Sequence, residues 1–200
     1  APFPYEDSDI FQRWILAGYE LIQSRDSFVY HLTCRGHRWN EQVQKDDDYY
    51  KIASNKAARN YLRKWGIWIE NDSYQYPIIT PKYDIEFRIF NSNPQLLKVL
   101  EPWCGRIYVD LYKDEVEKYI KEEQPNTLIN LSNKINQTAN SDIVIRIDGS
   151  KFAQEDFKLI QQLPKIIKDS GEVGKFTLGN LEITINYLEE YQNSLINVNR

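Results

Sequence analysis

Cysteine is scarce in this chain, and long apolar runs are missing. Cys34 and Cys104 are its only cysteines, too few for the disulfide framework of a small secreted domain, so a reducing, cytoplasmic location is expected. No apolar run approaches the roughly 18–20 residues that a helix needs to span a bilayer. The sequence therefore predicts a protein without a membrane span.

Methionine is absent altogether from the 200 residues. A natural reading frame starts with Met, and the chain instead starts at Ala1, directly before residues that enter a helix. We therefore expect a fragment of a longer protein whose upstream part is missing.

Excess positive charge is also lacking, because the formal net charge is −4. Proteins that hold nucleic acid by counterion release need a broad basic face, so no nucleic-acid partner is expected.

What the chain does have is 42% apolar residues, including 14 Tyr and 5 Trp. That content is enough to fill a core.

Periodicity and turn residues in the first third predict two helices with strands between them. The first helix runs from a cap at Asp7 or Ser8 to about Ala17, and Gly18 ends it in the left-handed conformation. Its apolar residues are expected to cover one buried face. Strands are predicted over 19–23 and 28–32, and a second helix over 49–65.

Residues from about 67 to 81 have the composition of a linker, which predicts a division into two domains, 1–75 and 82–200. In the second domain, strands and helices alternate and end in a hairpin through Gly179-Asn180. The predicted fold class is α+β, with a small mixed sheet. Strands are predicted over 83–90, 106–110, 142–148, 175–178 and 181–186, and helices over 94–100, 113–123 and 153–168.

Chemistry-bearing residues are densest in the first 39 positions. Tyr5-Glu6-Asp7-Ser8-Asp9 opens the first helix, and Arg13 follows within it. The predicted strand Val29-Tyr30-His31 leads into Arg35-Gly36-His37-Arg38-Trp39. Carboxylates, histidines and arginines at helix starts and strand ends are typical of sites that bind phosphate and transfer protons.

This arrangement resembles the closing segment of family-2-like glycosyltransferases with the GT-A fold, including phage or viral members. In that family a Glu-Asp pair opens a helix that ends in Gly-Tyr, and the following strand ends in a histidine. The run from Arg35 to Trp39 is similar to the Gln-x-x-Arg-Trp element of processive members, of which only Arg38-Trp39 matches. The resemblance covers residues 1–66, about a third of the chain.

The resemblance implies sugar transfer from a nucleotide-diphosphate donor to a hydroxyl of a glycan or another acceptor. Asp7 would be the general base, and Glu6 would orient the acceptor. The implied roles of the others are metal or diphosphate binding for His31 and substrate binding for Arg13, Arg35, Arg38 and Trp39.

The resemblance also implies a divalent metal ion, Mn²⁺ or Mg²⁺, held together with an Asp-x-Asp motif that this chain does not contain. The run 46–48 has the right letters but precedes a helix, where its charge complements the helix dipole. The donor-binding half of the GT-A fold is likewise missing, so the chain alone is expected to be inactive.

Each of these residues also has an ordinary structural interpretation. Asp7 could cap its helix, and Asp9 with Arg13 could form a surface ion pair. His31 could be a half-buried strand residue, and Trp39 could fill a core. The alternative function is therefore a non-catalytic structural or protein-interaction module.

Overall fold

The structure is a computed structural model that describes residues 5–30, 47–137 and 140–191, with only the backbone for 47–50. Over these residues the protein is a mixed α+β protein in which helices pack on a mixed sheet. The predicted class is confirmed at that level.

The described residues of the first third contain two helices. Helix α1 spans Glu6–Leu16 and α2 spans Asp47–Trp65, and the glycine after each helix has a positive φ, +83° at Gly18 and +74° at Gly66. A residue without Cβ adopts this conformation without strain, which is why both helices end at the predicted places.

The start of α1 differs from its prediction. Tyr5 occupies the cap position, and no side chain caps the helix, so Asp7 and Ser8 lie inside its first turn. The cap interpretation of Asp7 is therefore wrong.

The strands predicted over 19–23 and 28–32 are not formed over residues 19–30. Residues 31 and 32 of the second prediction lie outside the described residues. Alternating side chains alone do not make a strand, because its backbone groups need a partner strand. Gln23 instead hydrogen-bonds, through its backbone N–H, to the hydroxyl of Tyr76 at 3.1 Å.

The predicted linker contains a small hairpin. Strands β1 (Glu70–Asn71) and β2 (Pro77–Ile78) pair antiparallel. Asp72 closes the turn, since its carboxylate accepts hydrogen bonds from the backbone N–H groups of Tyr74 and Tyr76. The prediction missed the hairpin because each strand has only two residues.

A five-stranded sheet forms the centre of the second half, in the order β4-β3-β5-β7-β6. Strands β3, β4 and β5 are parallel, whereas β7 runs antiparallel to both β5 and β6. The strands are β3 (Ile85–Phe90), β4 (Arg106–Val109), β5 (Ile143–Asp148), β6 (Gly174–Leu178) and β7 (Leu181–Ile185). All five lie where the sequence predicts them.

Three helices complete this half, and its core lies between them and one face of the sheet. They are α3 (Pro94–Leu100), α4 (Lys113–Glu123) and α5 (Gln154–Ser170). Every second residue of β3 and β5 points into this core, which explains the alternating pattern that predicted them. Short 3₁₀ helices at 101–103, 124–126 and 131–133 connect the elements.

Helix α2 packs against the second half of the chain. Leu62 of α2 belongs to the same hydrophobic cluster as the sheet residues, and Arg63 forms an ion pair with Glu101 at 2.6 Å. Contacts therefore cross the predicted boundary between residues 75 and 82, and the division into domains stays a prediction.

None of the helices in the described ranges combines the length and the hydrophobicity that crossing a membrane requires.

Candidate functional site

Helix α1 is fixed to α2 through a polar contact inside an aromatic cluster. Asp9 is only 3% exposed. Its carboxylate accepts hydrogen bonds from Lys64 Nζ at 2.6 Å, Trp65 Nε1 at 2.9 Å and Arg13 Nε at 3.1 Å. Three charged or polar donors on one buried carboxylate define a single orientation of α1.

The electrostatics of this contact favour the ionised acid. Burial alone raises the pKa of Asp9, but the hydrogen bond and the charge of Lys64 outweigh it, so the pKa lies below its ordinary value. Asp9 is thus a buried structural anion. The predicted ion pair with Arg13 forms, at 3.1 Å, but its acid is buried rather than on the surface.

Aromatic rings surround this anchor. Tyr5 precedes α1 and lies 5.4 Å from the ring of Tyr61 and 5.4 Å from that of Trp68, measured between centroids. Gln12 donates a hydrogen bond to the hydroxyl of Tyr61. The inward face of α1 therefore carries polar groups, Asp9 and Gln12, that satisfy partners on α2.

The two predicted acidic residues lie in the first turn of α1. Asp7 is exposed. Glu6 is half-buried, and its Oε2 is a buried atom that receives no hydrogen bond from any residue in the described ranges. A buried carboxylate oxygen without a donor is unfavourable by about 1–3 kcal/mol, so a donor from a ligand would stabilise it.

The remaining predicted site residues divide into two groups. Arg13, one-third exposed, donates to Asp9, and its role in substrate binding stays a prediction. His31, Arg35, Arg38 and Trp39 lie outside the described residues. Their proximity to Glu6 and Asp7 therefore stays a prediction as well.

A second buried charge cluster joins α2 to the sheet half, and the sequence analysis did not find it. Glu101 has no exposed surface. Its carboxylate oxygens lie 2.6 Å from Arg63 Nη2, 2.7 Å from Lys134 Nζ and 3.2 Å from Arg59 Nη2. Tyr119 also donates to it, at 2.9 Å. The arginines at the end of α2 thus bind a buried acid rather than only complementing the helix dipole.

Ionisation of Glu101 is strongly favoured. Burial raises its pKa, but the charge of Lys134 and the hydrogen bonds from Arg63 lower the pKa by a larger amount. The resulting pKa is about 2. No sequence signal marks Glu101 as buried, because Glu101-Pro102 looks like an ordinary helix end. Its partners come from positions 18 to 42 residues away.

Lys82 holds the carboxyl end of α2. Its Nζ donates to the carbonyl oxygen of Arg63 at 3.1 Å and to that of Lys64. Burial lowers the pKa of Lys82 to about 8, and the nearby positive charges of Lys134 and Lys64 act in the same direction.

This shift predicts a pH dependence of stability. The unfolded chain keeps Lys82 protonated up to about pH 10.4, whereas the folded protein releases the proton near pH 8. Between these values the unfolded state binds more protons, so the free energy of unfolding should rise with pH, by up to about 1.4 kcal/mol per pH unit. Urea titrations from pH 7.5 to 9.5 on the wild type and on Lys82→Met measure the slope.

The variant serves as the control for every other group that titrates. Above pH 10 tyrosine ionisation acts in the opposite direction, because burial raises the pKa of Tyr61 and Tyr119. We expect a steeper rise in the wild type than in Lys82→Met. Parallel curves would contradict the assignment.

Within the described ranges, no group of three or more His, Cys, Asp or Glu side chains is placed so that it could hold a metal ion.

Comparison of the chain with protein-family models, with curated proteins and with solved structures finds no match to any of them.

Proposed function

We propose that this chain is the acceptor-side, C-terminal part of a nucleotide-sugar-dependent glycosyltransferase with the GT-A fold. Residues 82–200 would be its accessory domain. The observation that carries the proposal is the pair at the start of α1, where Asp7 is exposed and Glu6 Oε2 is buried without a hydrogen-bond donor among the described residues. A hydroxyl of the acceptor would supply that donor.

In the proposed reaction, the acceptor oxygen attacks the anomeric carbon of the donor sugar. The bond from that carbon to the diphosphate breaks, and the nucleoside diphosphate leaves with the electron pair. Asp7 takes the proton of the attacking hydroxyl as general base, while Glu6 accepts a hydrogen bond that orients the acceptor. Asp7 lies at the N-terminus of α1, where the helix dipole favours negative charge.

The anchoring of α1 supports this assignment. A general base must be held within hydrogen-bond reach of its substrate. Asp9 lies one helical half-turn from Asp7 and is bound by Lys64 and Trp65 of α2. The polar contact that fixes the helix therefore also fixes the direction of its first turn.

Donor binding in the proposal relies on residues outside the described ranges. His31 would bind the diphosphate or a divalent metal ion, Arg35 and Arg38 would bind phosphate oxygens, and Trp39 would stack on the sugar or the base. By the family resemblance, Mn²⁺ or Mg²⁺ would be held together with an Asp-x-Asp motif that this chain does not contain.

A donor screen tests the proposed function. The full-length protein should release nucleoside diphosphate from at least one UDP-, GDP- or dTDP-sugar when Mn²⁺ or Mg²⁺ and glycan acceptors are present. Without acceptor, the release of nucleoside diphosphate should fall to the slow rate of donor hydrolysis. The proposal fails if no donor is consumed and nucleoside diphosphate with metal does not raise the melting temperature of the protein. That result would favour the non-catalytic interaction module.

A further inference from the structure

Helix α1 has an unusual distribution of side chains. Its inward residues include the polar Asp9 and Gln12, 3% and 4% exposed, whereas its outward residues Phe11 and Trp14 are 40% and 42% exposed. The two rings lie 5.6 Å apart between centroids. The sequence predicted these aromatics on the buried face, and an ordinary surface helix has the opposite arrangement. Adjacent exposed aromatics mark binding surfaces.

The exposed stripe also contains the proposed general base. Asp7, Phe11 and Trp14 are spaced i, i+4 and i+7, which places them on one side of the helix. With a rise of about 1.5 Å per residue, Phe11 lies about 6 Å and Trp14 about 10 Å from Asp7 along the axis. These distances allow one molecule to contact all three residues.

Phe11 and Trp14 line a groove of about 650 Å³. Tyr19 and the hairpin residues Tyr76 and Pro77 line it as well. Hydrogen bonds from Gln23 to the hydroxyl of Tyr76, at 3.1 Å, and to the carbonyl of Tyr74, at 3.0 Å, hold the segment after α1 against the hairpin. The volume lies in the range of small-molecule sites, about 300–1,000 Å³.

The lining of the groove selects the chemistry of its occupant. Beside the aromatics it contains the amides of Gln23 and Gln75 and the carboxylate of Glu20, and no Lys or Arg is among its lining residues in the described part of the chain. Without a cation the groove does not favour phosphate or nucleic acid. A neutral sugar fits better, because its C–H groups pack on the negative ring faces and its hydroxyls reach amide and carboxylate groups.

We propose that this groove binds a neutral oligosaccharide, with sugar rings stacked on Phe11 and Trp14. The inference rests on the proposed function in one respect, since it identifies the acceptor as a glycan whose reacting end lies toward Asp7. Binding itself does not depend on catalysis. The groove then accounts for the outward aromatics of α1.

Calorimetric titration with maltotetraose, cellotetraose and chitotetraose tests the proposal on the complete chain. We expect at least one of them to bind with Kd in the millimolar range or below. Trp14→Ala should weaken that binding on the order of tenfold. Tyr112→Ala is the matched control, because Tyr112 is an 81% exposed aromatic outside the groove. Tyr19→Ala provides a second groove variant if Trp14→Ala does not fold.

Failure of all three saccharides to bind, or unchanged binding by both groove variants, would overturn the proposal. Trp14-dependent binding of a zwitterionic alkyl detergent without saccharide binding would also overturn it, and would assign the groove to an apolar partner. Saccharide binding that Trp14→Ala weakens and Tyr112→Ala leaves unchanged is the expected result. If that binding depends on Trp14 while no donor is consumed, the groove assignment stands and the proposed transferase function fails.

Discussion

Asp7→Asn should lower the rate of sugar transfer by the full-length protein about 10²–10⁴-fold, the loss typical of removing a general base. Asparagine has the shape of aspartate but cannot accept the proton of the attacking hydroxyl. Because Asp7 is exposed and does not cap its helix, the variant should fold as the wild type does. The measurement is the kcat for nucleoside diphosphate release, together with the Kd for nucleotide-sugar, which should change little.

The matched control is Asp114→Asn. Asp114 is an exposed aspartate in the first turn of α4, so this variant removes the same charge from the same helical position at a different place. We expect its kcat to equal that of the wild type. Turnover retained by Asp7→Asn would exclude Asp7 as the base, and an equal loss in both variants would indicate a general effect of charge.

Glu101→Gln should lower the free energy of unfolding by about 3–5 kcal/mol, because it removes the acid that pairs with buried Lys134 and one of the two acids that pair with buried Arg63. The side chains of Arg63 and Lys134 are 0% and 4% exposed, and Arg63 keeps its second ion pair, with Glu123 at 2.5 Å. The neutral amide keeps the volume of the glutamate, so the loss reports charge rather than a cavity. Urea unfolding at pH 7 measures the difference.

Glu117→Gln is the control for this experiment. Glu117 forms an exposed i,i+4 pair with Lys113 at 3.5 Å, and such pairs contribute about 0.3–0.5 kcal/mol.

An acid titration adds a second test. Since the pKa of Glu101 is about 2, below its unfolded value near 4.3, its contribution is complete above pH 4.3 and is lost as the pH falls toward 2. A loss below about 1 kcal/mol in Glu101→Gln would contradict the buried-cluster assignment.

The elements of the second half could be predicted because their signals are local. The run Ile143–Asp148 alternates apolar and polar residues, and Gly179-Asn180 joins two such runs. A strand buried on one face requires the first pattern, and a tight hairpin requires the second. The same holds for the glycines that end α1 and α2.

The strands predicted over 19–23 and 28–32 had comparable local patterns and were wrong within the described residues. Among the described residues no strand pairs with 19–30, and Gln23 bonds to a tyrosine hydroxyl and a carbonyl instead. Whether a β-forming segment becomes a strand depends on a partner distant in sequence, and composition does not encode that partner.

The sequence by itself determined the α+β class and the order of the helices and strands of the second half. Only the tertiary structure decided which side of α1 is buried. Hydrophobicity favours Phe11 and Trp14 inside, but Lys64 and Trp65 of α2 bind Asp9, and Tyr61 accepts from Gln12. The hydrogen bonds of the buried Asp9 carboxylate outweigh the exposure of two aromatics that remain partly covered, and its two donors on α2 lie more than 50 residues away along the chain.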